Sequence, residues 1–227
     1  MRDFLSSAKL WPLNLLRDTP RRVGRLLGVL SAGPATGPGG LAAWLQALAW
    51  ALFDLTGGPE IVQMVWRLAT DTRPLTVEEI EAASAVLGPE AIRYEDVRIA
   101  NGGLLRSVFN KNNNRAFCTW HTINLPPEKE HRRALLVHEL THTRQYERVG
   151  SVYIGQGLGA QRRLGKKAYD YGGAEGLRAH LAAGKRYNDY NREQQGQIAQ
   201  DFCALVEAGK DTSAYEPFIQ QLRQGRL

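Results

Sequence analysis

Apolar positions follow a helical period at both ends of the chain and a strand period in its middle. Residues 41–55 and 61–69 are dense in Leu, Ala, Trp and Val and read as two apolar helices, divided by Gly57-Gly58-Pro59. The preceding residues look helical but are punctuated by Pro12, Pro20 and a turn-rich linker, Ala32-Gly33-Pro34 through Gly37-Pro38-Gly39-Gly40. Trp44, Trp50 and Trp66 can pack together or form a docking face, and core packing is the better fit. Residues 1–72 are therefore read as an N-terminal helical accessory or docking region, and residues 73–227 as the main domain.

The next helix has a complete start signal. Thr76 can cap it, Glu79 three residues on closes a capping box, and Leu75 can staple against Ile80. Gly88 supplies a left-handed stop before Pro89, which predicts a helix over 76–87. From Val97 the period falls to two. Strands are predicted at 97–100, 104–109 and 116–125, separated by turns at Asn101-Gly102-Gly103 and Asn112-Asn113-Asn114. In the last strand Phe117, Thr119, His121, Ile123 and Leu125 share one face; Cys118, Trp120 and Thr122 share the other. Helices dominate thereafter: 130–149, stopped by Gly150; a glycine-rich 151–164; a loop at 169–173; and a final long helix from Asn191, whose capping box is closed by Gln194, to Gly209. The pattern is α+β, a small mixed or antiparallel sheet over a long helix, with an N-terminal helical extension.

Composition narrows the class. Of 227 residues, 43% are hydrophobic and 23% charged, which a soluble globular protein shows and a disordered chain does not. The net charge of +6 and pairs such as Arg21-Arg22, Arg132-Arg133 and Lys166-Lys167 fit an acidic partner or a solvated basic surface. No nucleic-acid-binding signature accompanies the charge, so nucleic acid is the weaker reading. Cys118 and Cys203, far apart and in no CxxC pair, read as buried free thiols. The apolar run at 41–53 is shorter than the roughly 18 residues a membrane span needs, so no transmembrane segment is expected. Arg21-Arg22 ahead of 26–30 is a poor match to a twin-arginine signal, and no cleavage site follows. Cytoplasmic synthesis without a signal peptide is the expectation.

The chemistry is concentrated in His138-Glu139-Leu140-Thr141-His142. Histidines four apart on a helix project from one face, so their imidazoles can grip a single metal ion. Glu139 emerges about 100° round from His138 and can act as base without occupying a ligand position. The motif follows Ala134-Leu135-Leu136-Val137, so its helix is expected to be buried, and buried polar groups at this spacing need a partner such as a metal. Gln145 and Arg148 stand where a metzincin would carry glycine and histidine, which excludes that class. A catalytic zinc site needs a third protein ligand. The candidates are Glu175, His180, Asp189, Glu193 and Asp201. Glu193 is preferred because it lies in the first turn of the last helix at the edge of the stripe formed by Ile198, Phe202, Leu205 and Val206. Gln197 and Asp201 follow at successive turns, placed to steady a ligand histidine. His180 is the rival ligand; His121 and His131 are weaker. Tyr146, Tyr169, Tyr171, Tyr187 and Tyr190 are all eligible to stabilise a transition state opposite the base.

The stretch from Leu136 through the HELTH motif to Tyr146 resembles the zincin-like domains found in or beside type VI secretion spike proteins of the VgrG type. It is similar, more distantly, to the metallopeptidase core domain of extracellular contractile injection systems. Residues 75–88, 92–99 and 190–198 extend the resemblance, which covers roughly 73–225. It implies a zincin-like fold with a gluzincin arrangement: zinc on His138, His142 and Glu193, with Glu139 as catalytic base. It also implies a zinc peptidase acting on protein or peptide, exported as an effector or toxin by a contractile system and met by a secretion-spike or immunity-type partner. The alternative is a non-catalytic adaptor of the secretion apparatus that retains a zinc site. Gly196 and Gln197 depart from the family's usual alanine and glutamate, which removes a carboxylate close to the metal.

Overall fold

The computed structural model describes residues 2–37, 39–111 and 113–227, with side chains described from Pro12 onward in those ranges. Pro38 and Asn112, both assigned above to turns, lie outside the described residues, as does Met1. The first three helices are α1 (Arg2–Ala32), α2 (Gly40–Leu55) and α3 (Gly58–Ala69). Helix α1 runs through Pro12 and Pro20, where the sequence led us to expect interruption. A proline inside a helix forgoes one hydrogen bond and crowds the preceding turn. Around Pro20 the helix is held from outside: Asp18 pairs with Arg93 at 2.9 Å, and buried Arg22 pairs with Glu60. The three tryptophans do not cluster with one another. Trp44 donates to the Val29 carbonyl, Trp50 meets Phe53 edge-on, and Trp66 donates to Asn124.

Strand β1 (Thr72–Pro74) leads into α4 (Val77–Leu87), whose Thr76–Glu79 capping box is formed in both directions. Next come β2 (Arg98–Ala100), α5 (Leu105–Lys111), β3 (Phe117–Thr119) and β4 (Thr122–Asn124). Two expectations are corrected here. The strand predicted at 104–109 is helix α5, because Leu105, Val108 and Phe109 share a helical face that closes a small apolar cluster with Ala100. The single strand predicted at 116–125 is a hairpin, with Trp120 and His121 at the turn and Thr119 opposite Thr122. Trp120 adopts φ 58°, which costs energy in a residue with a Cβ. Tertiary bonds hold it there. Its amide donates to the Tyr153 hydroxyl at 3.1 Å, its indole donates to Ser151 at 2.7 Å, and its carbonyl accepts from Thr143 at 2.9 Å. The sheet order is β1-β2-β4-β3, antiparallel except for the parallel pair β2 and β4, so β3 forms one edge.

The remaining helices are α6 (Arg133–Val149), α7 (Val152–Leu164), α8 (Gly173–Ala182), α9 (Arg192–Glu207) and α10 (Glu216–Arg223). The principal core joins Leu87 of α4, Ile99 of β2, Ile123 of β4, Leu140 of α6, Ile198 of α9 and Phe218 of α10. Helix α6 makes its most extensive contacts with α9. Its residues from Leu136 to Tyr146 are buried without a break, so its polar side chains there must find partners inside the protein.

Candidate metal centre

Leu136, Val137 and Leu140 commit one side of α6 to the core and so aim His138 and His142 toward α9. The start of α9 is fixed by the Asn191 side chain, which accepts from the amides of Glu193 at 2.9 Å and Gln194 at 3.0 Å. That cap sets Glu193 in the first turn, facing the two imidazoles. Nε2 of His138 and Nε2 of His142 each stand 3.7 Å from Oε2 of Glu193. The ligand atoms of the three residues lie within 4.8 Å of one another, and all three residues are buried. Close packing depends on two glycines. A Cβ at Gly196 would stand 2.9 Å from the His138 ring, and one at Gly157 of α7 would stand 2.9 Å from Oε1 of Glu193.

The donor set fits a zinc ion. Ligands about 2.1 Å from one ion stand roughly 3–4 Å apart, and the observed 3.7 Å spacings are too long for hydrogen bonds but suit a shared cation. Two neutral imidazoles and a carboxylate form a borderline-soft N/O set of the kind zinc takes. The electrostatics point the same way. Burial would raise Glu193, but His142 and His138 hold its carboxyl well below the usual range. Burial would lower His142, but Glu193 overrides it and pushes the imidazole up to about 9. Such a site attracts positive charge. Glu139, buried beside the cluster and outside it, is shifted upward by burial, with His138 and His142 opposing.

The cluster lies in the wall of a cleft of about 590 Å³. Edge strand β3 lines it, as do Glu139, Tyr153 and Leu158, with Arg115 and Lys129 as its cations. Of the five tyrosines eligible from sequence, Tyr169 alone lines this cleft. Its ring stands 6.0 Å from that of His138, and its hydroxyl accepts from Gln161 at 3.0 Å. The others are engaged elsewhere: Tyr146 near Arg22, Tyr171 on Asp201 and Tyr215, Tyr187 on the Gln195 carbonyl, and Tyr190 on His180.

The rival ligands fall outside the cluster. His180 Nδ1 is 2.9 Å from the Tyr190 hydroxyl, His121 Nε2 is 2.7 Å from Glu147, and His131, Glu175 and Asp189 are exposed. Gln197 and Asp201 do not steady a histidine. Gln197 donates to Asp201 at 2.8 Å, and Asp201 accepts from Tyr171 at 2.6 Å. The role falls to Gln145, fully buried, whose Oε1 is 2.8 Å from His142 Nδ1 while its Nε2 donates to Gln195 and the Arg192 carbonyl. His138 Nδ1 is buried with no hydrogen-bond partner among the described residues. Sequence reasoning passed over Gln145 and also Tyr153, whose ring stacks on His142 at 6.2 Å. One signal for α7 was visible: a helix carrying Gly155, Gly157 and Gly159 is built for close approach.

Comparison with known proteins adds a setting. Residues 89–150 match the family described as the eCIS core domain, a span that includes the His138–His142 motif and ends before Glu193. The chain is also 29% identical over 203 residues to the type VI secretion system spike protein VgrG2b of Pseudomonas aeruginosa. The alignment covers 84% of this chain and 18% of that protein, so the chain spans less than a fifth of its relative's length. No solved structure matches. These similarities link the chain to contractile injection and type VI secretion systems.

Proposed function

We propose that this chain is a zinc-dependent hydrolase of amide bonds with a zincin-like fold, acting as an effector of a contractile secretion system. The observation that carries the reading is the placement of Glu139. It is buried next to a convergent His138, His142 and Glu193, yet it is not one of them, and a purely structural metal site has no use for such a base. Zinc held by those three residues would supply Lewis acidity in the cleft. Glu139 takes the proton of the attacking water and returns it to the leaving amine. Tyr169, across His138, donates to the oxygen on which charge develops. Gln145 fixes the tautomer and orientation of His142. Strand β3, at the sheet edge and lining the cleft, lets an extended peptide add by main-chain hydrogen bonds.

The test is zinc analysis of the purified chain together with digestion of a mixed peptide library. Stoichiometric zinc and cleavage are expected, with Glu139→Gln keeping the metal and losing turnover by roughly a hundredfold or more. Zinc without cleavage of any peptide would leave the adaptor reading in its place.

A further inference from the structure

The cleft beside His138, His142 and Glu193 carries charge that the hydrolytic residues do not use. Among the described residues its carboxylates are Glu139 and Glu193, both committed at the cluster. Arg115 and Lys129 stand in the same wall and form no ion pair among the described residues. Both cations are held at one end of edge strand β3. Asn113 and Asn114 are left-handed, each at φ 51°, a conformation asparagine tolerates better than most residues. The Asn114 amide donates to the Phe109 carbonyl at 2.9 Å, so the chain turns out of α5 and delivers Arg115 two residues ahead of Phe117, where β3 begins. The Lys129 ammonium donates to the Asn114 carbonyl, which brings the second charge beside the first.

Arg115 also faces the reacting centre. Its Cζ lies 5.7 Å from the centre of the Tyr169 ring, and that ring lies 6.0 Å from the ring of His138. The guanidinium is therefore within about 12 Å of the His138 ring, a span of three to four extended residues. Burial raises both the Glu139 carboxyl and the Tyr169 hydroxyl, and Arg115 is among the charges that oppose the rise in each. Leu158 of α7, 60% exposed, adds apolar surface to the same cleft.

We propose, taking the cleft as the peptide site inferred above, that Arg115 and Lys129 form a subsite for a carboxylate of the bound peptide, within about three residues of the scissile bond. The carboxylate belongs to an acidic side chain or to the peptide's C-terminus. The planar fork of Arg115 takes it through two parallel hydrogen bonds, and Lys129 adds a second charge to the same end of the cleft. The rest of the peptide runs along β3, and its apolar side chains meet Leu158. The preferred substrate class is a peptide that combines acidic and apolar residues. A basic peptide is disfavoured, because its charges would face two cations with no free carboxylate to offset them.

The test is affinity selection on the immobilised full chain carrying Glu139→Gln, so that bound peptides are not consumed. A random peptide library is applied twice, once with both ends blocked and once with a free C-terminus, and the retained peptides are sequenced by mass spectrometry. Enrichment of Asp and Glu over Asn and Gln by about fivefold is expected, in line with one exposed ion pair. Arg115→Ala should abolish it, Lys129→Ala should reduce it, and Arg115→Lys should keep most of it. Arg17→Ala with Arg21→Ala, exposed on α1, should leave it unchanged, which separates the subsite from the general basicity of the chain. Enrichment with blocked ends assigns the carboxylate to a side chain; retention confined to the free-ended library assigns it to the C-terminus. Acidic peptides retained here but not cleaved by the native chain would remove the hydrolase reading and leave the subsite standing. Retention of no peptide, retention without dependence on a carboxylate, or an acidic preference that survives Arg115→Ala overturns the proposal.

Discussion

A Cβ at position 196 would meet Cε1 and Nε2 of His138 at 2.9 Å, in a helix that would otherwise favour alanine over glycine. Gly196→Ala gains about 1 kcal/mol of helix propensity and incurs an overpacking cost of about 1–3 kcal/mol. The two nearly cancel in stability, but the His138 ring must move. The expected outcome is a melting temperature within a few degrees of wild type and a zinc affinity clearly reduced in chelator competition; unchanged affinity would show that the ring tolerates the methyl group. Gln145 acts on the other histidine. Gln145→Leu removes the bond to His142 Nδ1, and zinc affinity should fall about 10–100-fold. The same titration separates Glu193→Ala, expected to lose zinc, from His180→Ala, expected to keep it because His180 is turned to Tyr190. Zinc retained by Glu193→Ala would remove Glu193 from the site.

Two helix caps illustrate what an element contributes. Thr76 and Asn191 both close capping boxes, and both were legible because the cap and its partner three residues on are local in sequence. Thr76→Ala and Asn191→Ala should each cost about 0.5–2 kcal/mol in urea unfolding. Only Asn191→Ala should also weaken zinc binding, since its cap holds the amide of the residue facing the histidines. If both variants bind zinc equally, α9 does not need its cap to present Glu193. The elements that were misread lack such local signals. The hairpin at Trp120 contains no glycine, asparagine or aspartate at its turn, and the bonds that hold its left-handed residue come from Ser151, Tyr153 and Thr143, more than twenty residues away.

Beside the packing of Phe53 and Trp66, several polar groups join the three N-terminal helices to the rest of the molecule. Asp54 accepts from the amide of Ser151 at 2.9 Å, Gln63 from the amide of His121 at 2.9 Å, and Asp18 from Arg93 at 2.9 Å. Arg93 also faces Glu147, which pairs with His121. Burial would raise Glu147, but His121 and Arg93 lower it to about 2. A carboxylate depressed in the folded state stabilises fully above its unfolded value, about 4.3, and the contribution is lost as pH falls toward about 2. Stability measured by circular dichroism should therefore decline over that window, and Glu147→Gln should be less stable than wild type at pH 7 while showing a shallower acid decline. An identical acid profile in the variant would remove Glu147 from this role.

The sequence by itself determined what depends on neighbours a few residues apart: the spacing of His138, Glu139 and His142, the caps at Thr76 and Asn191, and the helical or extended period of most segments. Even Glu193 was accessible this way, because the cap and the apolar stripe of one helix fix its register. Only the tertiary structure decided what depends on approach between distant segments. It put Tyr169, of the five candidate tyrosines, in the wall of the cleft, gave Gln145 the contact with His142 that was expected of Gln197 and Asp201, and turned one strand into a hairpin. It also ran α1 through two prolines. For the hairpin and for α1 around Pro20 the deciding contact is with a residue tens of positions away, Ser151 on Trp120 and Arg93 on Asp18, and a local pattern carries no trace of it.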